Sequence, residues 1–215
     1  MKYQAIIFDL DGVICHTDQY HYQAWKQMAD GLGIAIDESI NDQLRGVSRM
    51  ASLEIILKEG GVQLPEEEKQ RLAAQKNELY RSLLMQMTPA DLPVEVSETL
   101  QALRDAGIRL AIGSSSKNTV MILERLGLGD FFDAVSDGNQ ITHSKPDPEV
   151  FLLAADLLGV PAKDCLVVED AEAGIRAAAA GGMDAAGIGA AVGDACTYRI
   201  GRFSELVQIA AGDKS

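Results

Sequence analysis

Ala5-Ile6-Ile7-Phe8-Asp9-Leu10-Asp11-Gly12 is the stretch on which the fold turns. Four consecutive apolar residues, soon bounded by a glycine turn, read as a buried strand of a parallel sheet. Ligands of open α/β sheets gather beyond the carboxyl ends of such strands. Asp9 and Asp11, spaced i and i+2, are expected to share one face of that strand end. Two like charges so close need compensation. A hard divalent cation supplies it through oxygen ligands, and Mg²⁺ commonly takes one or two carboxylates together with substrate phosphate. Asp and Gly are also ordinary turn residues, so the downstream segments must decide between a solvated turn and a site.

From Asp18 to about Gly33 the residues Tyr22, Trp25, Met28, Ala29 and Leu32 recur at a helical period, with Thr17 or Asp18 as N-cap. Between Asp37 and about Met87 no strand stands out. Ile40–Leu44, Ser48–Lys58 and Pro65–Leu84 read as helices, with Gly60-Gly61 ending one of them. After Thr88-Pro89 the pattern becomes alternation. Helices are expected at Val94–Ala106, Lys117–Leu126, Pro148–Leu158, Ala171–Ala180 and Phe203–Ala211. Strands are expected at Ile108–Ile112, Ala134–Ser136, Cys165–Val168 and Ala185–Ile188. Repeated β–α units imply an α/β fold: a doubly wound, Rossmann-like parallel sheet with helices on both faces. That core takes residues 1–15 and 92–215, and an all-helical cap domain, residues 16–91, is inserted after the first strand.

At 215 residues and 47% hydrophobic, the chain can bury one good core and a smaller second one. Its formal net charge is −13 and no Lys/Arg-rich tract interrupts it. Nucleic acid and anionic membranes, which demand a basic surface, are therefore excluded as expected partners. The three cysteines, Cys15, Cys165 and Cys196, are odd in number and lack metal-ligand spacing; two of them lie beside expected strands, where buried free thiols are expected. No apolar signal core and no run of about 18 apolar residues occurs. The expected setting is cytoplasmic.

Each core strand is followed by polar groups of a distinct kind. Asp9 and Asp11 follow the first, and Ser114, Ser115, Ser116, Lys117 and Asn118 the second. Hydroxyls and backbone N–H groups where a helix opens make an anion site. Lys145, within Ser144-Lys145-Pro146-Asp147-Pro148, follows the third, and Glu169-Asp170 the fourth. In a parallel sheet these ends lie on one edge. Each piece has a plain alternative: an N-cap, a surface lysine, an acidic helix start. Their conjunction, in this order, is harder to reconcile with accident.

Asp9-Leu10-Asp11-Gly12, Ser114, Lys145 and Glu169-Asp170 resemble the four motifs of the haloacid dehalogenase superfamily of phosphotransferases. His21 with Ala24-Trp25, Arg45-Gly46-Val47-Ser48-Arg49 with Ser52, Lys76-Asn77 and Ser114–Asn118 extend the likeness to its sugar-phosphate mutases, cap included. The resemblance implies that Asp9 is a nucleophile carrying an aspartyl phosphate and Asp11 the general acid/base. It implies Mg²⁺ on Asp9, the main-chain carbonyl of Asp11, and Asp170, with Glu169 close by. Ser114 and Lys145 would then hold the transferring phosphoryl group. Ser115 belongs to the same substrate loop, in which Ser116, Lys117 and Asn118, with Arg49 from the cap, grip a second phosphate. Gly46, Val47, Ser48 and Ser52, beside Arg45, meet the sugar, while His21, Trp25 and Lys76 support the closed face. The implied reaction interconverts β-glucose 1-phosphate and glucose 6-phosphate through a bisphosphate, in a monomer. A sugar phosphatase on the same scaffold is the alternative. His16 stands where many relatives carry an acid, Leu92–Glu95 lacks a Pro-Gly pair, and Arg45 replaces a common lysine.

Overall fold

The computed structural model describes residues 1–44 and 47–212. It divides into two compact units, Met1–His16 with Thr88–Ser215, and Thr17–Met87. The second crossing falls earlier than the expected 91/92. The reason is local: Thr88 and Asp91 cap a short 3₁₀ turn, Pro89–Asp91, and the Pro89 ring lies next to Gly127 of the first unit, at a distance where even a Cβ would meet it in ordinary contact.

The first unit is built on a parallel six-stranded sheet in the order β3-β2-β1-β4-β5-β6. The strands are β1 (Ala5–Phe8), β2 (Arg109–Gly113), β3 (Ala134–Ser136), β4 (Cys165–Glu169), β5 (Asp184–Ile188) and β6 (Tyr198–Ile200). Every residue of β1 is fully buried, as its uninterrupted apolar run demands of a central strand. Its side chains alternate between faces. Ala5 and Ile7 enter a cluster with Phe151 of α7 (Glu149–Leu158) and Ile175 of α8 (Glu172–Ala180). Phe8 instead stacks on Phe203 at 5.7 Å and meets Phe132 at 6.3 Å. Burying a side chain of that size contributes about 1.5–3 kcal/mol. The helices α5 (Val94–Asp105) and α9 (Glu205–Ala211) pack on each other.

Register sets the site. Phe8 lies opposite Ile112 of β2 and Val168 of β4, so the carboxyl ends of β1, β2 and β4 are level. Asp9, Ser114, Glu169 and Asp170 therefore emerge along one edge. Strand β6 lies outside the sequence expectation because only Ile200 of its three residues is buried, which leaves no periodicity to detect. Helix α9 starts at Glu205 rather than Phe203, since the Glu205 carboxylate accepts from the Gly201 and Arg202 backbone N–H groups at 2.9 and 2.7 Å.

The second unit comprises α1 (Asp18–Asp30), α2 (Glu38–Gln43), α3 (Arg49–Glu59) and α4 (Glu66–Leu84), with no strand among the described residues. Its core gathers Trp25, Met28, Ile34, Leu53, Ile56, Leu57, Leu72 and Ala73. The hydroxyl of Ser48 accepts from the Ala51 N–H at 3.3 Å and caps α3. Among the described residues, no helix is long and apolar enough to cross a membrane.

Candidate active site

At the edge of the sheet, the Asp9 backbone N–H donates to the Val168 carbonyl at 2.9 Å, fixing the residue just past β1 to β4. Its carboxylate accepts from the Lys145 ammonium, which also donates to Glu169 Oε2 at 3.1 Å. The Lys145 side chain is only 4% exposed and its Nζ lies 4.6 Å from the Phe151 ring centroid. Burial by itself disfavours the ammonium, but Asp9 and Glu169 outweigh it and hold the Lys145 pKa up. For Glu169 burial wins: it pushes the carboxyl up, against the pull of Lys145.

Asp9, Glu169 and Asp170 bring carboxylate oxygens within 4.8 Å of one another. Three acids around one ammonium leave an excess of negative charge, which a divalent cation would balance. The glycines are shaped to this cluster. Gly12 has φ +88°, and a Cβ there would sit 2.1 Å from Asp170 Oδ2. A Cβ at Gly174, in α8, would sit 2.1 Å from the Glu169 carboxyl carbon. The two absent side chains make the space in which both carboxylates lie. An all-oxygen donor set in such a cradle fits a hard cation such as Mg²⁺. Asp11 is not part of the carboxylate cluster: the chain turns there, and the Gly12 N–H donates to the Cys15 carbonyl at 2.7 Å. The carboxylates that gather are those of Asp9, Glu169 at the end of β4 and Asp170 just after it.

The loop that delivers Lys145 is fastened from within. Glu149 accepts from the Thr142 and His143 N–H groups at 2.9 and 2.7 Å, and Asp147 Oδ1 accepts from the Glu149 N–H at 3.0 Å. These charge-assisted bonds fix the backbone on either side of the lysine.

The serine loop is held differently. Ser114 donates its N–H to the Ser136 carbonyl at 3.0 Å. Ser114 Oγ accepts from the Ser116 N–H, and Ser116 Oγ from the Asn118 N–H, both at 3.2 Å. Side chains that bond the backbone two residues on compete with helix formation, so α6 (Thr119–Arg125) begins later than the expected Lys117. Lys117 and Asn118 are loop residues. Lys117 is exposed, while Asn118 is buried. Ser115 Oγ is shielded and has no hydrogen-bond partner among the described residues. A second loop braces the first: the Gly138 N–H donates to the Ser116 carbonyl at 3.1 Å, and Asn139 Nδ2 to the Lys117 carbonyl at 3.1 Å.

A Cβ at position 138 would lie 2.3 Å from the Ser115 carbonyl oxygen, a backbone atom that cannot swing aside. Overpacking of this kind costs about 1–3 kcal/mol. Gly138→Ala is expected to lower kcat/KM for a sugar phosphate by about tenfold, the equivalent of ~1.4 kcal/mol, while the chain still unfolds cooperatively. Kinetics and thermal unfolding of the variant check this; unchanged kcat/KM would remove the brace from the site.

In the second unit, α1 and α4 bring three of the candidate residues together. Lys76 Nζ lies 2.9 Å from His21 Nδ1 and 4.5 Å from the Trp25 ring centroid. Burial, Lys76 and Arg49 all lower the His21 pKa, well below the ordinary imidazole value. Arg49, at the start of α3, is half-buried, and Val47 is exposed. Ser52 is buried within α3, and Ser48 is occupied as a helix cap. Arg45 and Gly46 lie outside the described residues.

Several residues that shape these clusters have no place in the sequence expectation: Phe151 beneath Lys145, Gly174 beside Glu169, Gly138 and Asn139 under the serine loop, and Tyr80. The signal for Tyr80 is spacing. His21/Trp25 and Lys76/Tyr80 are both i, i+4 pairs, which share a helix face.

The sequence profile of the haloacid dehalogenase-like hydrolases matches residues 3–182. The β-phosphoglucomutase of Bacillus subtilis is 44% identical over 188 residues, covering 86% of this chain and 83% of its own. The fructose-1-phosphate phosphatase of Escherichia coli is 33% identical, over 86% of this chain and 95% of its own. Among solved structures, a β-phosphoglucomutase from Clostridium difficile superposes with a TM-score of 0.91 at 36% identity, over 98% of both chains.

Proposed function

The chain belongs to the haloacid dehalogenase-like hydrolase family, and within it we propose a Mg²⁺-dependent phosphomutase that interconverts β-D-glucose 1-phosphate and β-D-glucose 6-phosphate. The observation that carries this reading is the seat of Asp9. A carboxylate at a strand end, hydrogen-bonded to a buried ammonium and flanked by two further acids, is placed to receive a phosphoryl group whose charge must be neutralised. The likeness to the Bacillus subtilis mutase favours transfer between sugar positions over simple hydrolysis.

In this mechanism the enzyme starts with phosphate on Asp9. The C6 hydroxyl of β-glucose 1-phosphate attacks the aspartyl phosphate, Asp11 takes its proton, and the acyl P–O bond to Asp9 breaks to leave glucose 1,6-bisphosphate. After the bisphosphate rebinds in the other orientation, a carboxylate oxygen of Asp9 attacks the phosphorus at C1 and the P–O bond to the sugar breaks. Asp11 gives the leaving oxygen its proton, releasing glucose 6-phosphate and restoring the aspartyl phosphate. Lys145 and Ser114 neutralise and orient the phosphoryl group. Mg²⁺, held by Asp9, Asp170 and the main-chain carbonyl of Asp11 with Glu169 beside it, would supply further charge neutralisation. Ser116, Lys117, Asn118 and Arg49 hold the second phosphate, so that a glucose 1,6-bisphosphate intermediate binds in either orientation. The unit Thr17–Met87 is assigned the role of a cap that excludes water, with His21, Trp25 and Lys76 supporting its closed face.

The test is the fate of the phosphoryl group. β-Glucose 1-phosphate with Mg²⁺ and a trace of glucose 1,6-bisphosphate is expected to yield glucose 6-phosphate far faster than inorganic phosphate. Orientation of a bound hydroxyl supplies on the order of 7 kcal/mol or more, which water outside a closed cap does not gain. Initial rates of both products, with the α-anomer as control, give the answer. Inorganic phosphate forming as fast would assign the chain to the sugar phosphatases, as the Escherichia coli relative allows. Arg49→Ala is expected to depress the mutase rate much more than hydrolysis of an aryl phosphate, which has no second phosphate. Equal losses on both substrates would make Arg49 a structural residue of α3.

A further inference from the structure

We infer that Tyr80 is a positioning residue: with Trp25 it holds Lys76 and His21 in one arrangement, which makes His21 a fixed hydrogen-bond donor through Nε2. That His21 faces the sugar phosphate rests on the function proposed above; the arrangement itself rests on geometry within the second unit.

Tyr80 is buried, and its ring stacks on His21 with centroids 3.9 Å apart and planes 26° from parallel. Lys76, one turn earlier on α4, is only 3% exposed. Its Nζ lies 4.7 Å from the Tyr80 centroid and 4.5 Å from that of Trp25. Two ring faces at that range favour an ammonium. An ammonium has three donors and no acceptor, so the 2.9 Å contact with His21 requires Nδ1 to accept. A neutral imidazole that accepts at Nδ1 carries its proton on Nε2, and that nitrogen is then a donor. Protonating Nδ1 as well would set an N–H against the ammonium. Lys76 from α4 and Arg49 from α3 both oppose that second proton. His21 is therefore excluded as a general base, leaving proton transfer to Asp11. The Tyr80 ring fixes the plane in which the donor points. Without it, the imidazole can turn about χ2 and Lys76 loses one of its two faces.

Long-range ¹H–¹⁵N spectra of His21 in the intact protein, without substrate, read the tautomer directly. The expected result is a single Nε2–H form in the parent and in Tyr80→Phe, which keeps the stack. Tyr80→Leu is expected to show averaged tautomers and a kcat on the sugar phosphate at least tenfold lower, with a much smaller loss on an aryl phosphate. An Nδ1–H or averaged pattern in the parent would overturn the inference, and that spectrum stands even if Tyr80→Leu fails to fold. So would a folded Tyr80→Leu with the parental spectrum, or equal losses on both substrates. If the parent releases inorganic phosphate instead of glucose 6-phosphate, the mutase reading fails while the tautomer assignment stands.

Discussion

Asp9→Asn is expected to abolish turnover and phosphoenzyme formation, by on the order of 10⁴-fold or more as for other nucleophiles removed from a catalytic set, and to leave the chain folded. Asparagine keeps an Oδ1 that accepts from Lys145, so the hydrogen bond at the end of β1 survives. Lys145 also retains Glu169 as a charged partner at 3.1 Å, so no buried ammonium is stranded. What is lost is the anionic oxygen that attacks phosphorus, because a neutral amide is too weak a nucleophile to replace it. The measurement pairs the rate on β-glucose 1-phosphate with detection of acid-stable, hydroxylamine-labile phosphate on the protein. Parental activity in a folded Asp9→Asn chain would remove Asp9 from the role of nucleophile.

The strand that carries Asp9 is legible because a fully buried strand must be apolar at every position and must end where charge begins. Apolar runs also expose β2, buried from Leu110 to Gly113 after an exposed Arg109, and β4, whose run Cys165–Val168 leads into Glu169. The signal fails for β6, where Tyr198 and Arg199 reach outward and only Ile200 is buried. The site is legible by type but not by partnership. Spacing in the chain shows only Asp9 and Asp11 together, and it takes the family resemblance to join Glu169 and Asp170 to them. In the fold the sheet brings these acids near Asp9, since register sets Phe8 beside Val168. No local pattern reveals that β4 is the neighbour of β1. Gly12 is readable as a turn residue, yet its second role, leaving space for the Asp170 carboxylate, depends on a residue far along the chain. In the second unit the i, i+4 spacing of Lys76 and Tyr80 marks one face of α4. That the face meets His21 and Trp25 follows only from the packing of α1 on α4. Ser48 has a local role in addition to the one its motif suggests: its hydroxyl accepts from the Ala51 N–H and caps α3.

Lys145→Met tests how far that shared cation holds the site together. Methionine matches the length of the lysine stem and makes a favourable contact with the Phe151 ring, so packing is largely kept and charge is removed. Asp9 and Glu169 then lie buried beside Asp170 with no ammonium between them. Removing one partner of a buried ion pair costs about 3–5 kcal/mol. The loss is expected to depend on pH in a definite direction. Glu169 already has a raised pKa through burial, with Lys145 restraining the rise; without the lysine the rise is larger. A carboxyl whose folded pKa exceeds its unfolded value binds a proton more tightly in the folded state, so its stability penalty grows as pH rises above the unfolded value, roughly 4.3. In chelator-treated protein the variant should therefore fall furthest behind the parent near neutral pH and close the gap toward pH 4–5. Mg²⁺ added at neutral pH should narrow the gap as well, because a divalent cation among the three carboxylates replaces the missing charge. Turnover is not expected to recover with stability. On the proposed mechanism the phosphoryl group would still lack the ammonium assigned to it, and losing one such preorganised group costs on the order of 10²–10³ in rate. Denaturant unfolding from pH 4 to pH 8, with chelator or with Mg²⁺, and rates at saturating Mg²⁺ separate these effects. A stability gap independent of pH and Mg²⁺ would mean that Lys145 acts through its hydrocarbon stem on Phe151, not through its charge on Asp9 and Glu169.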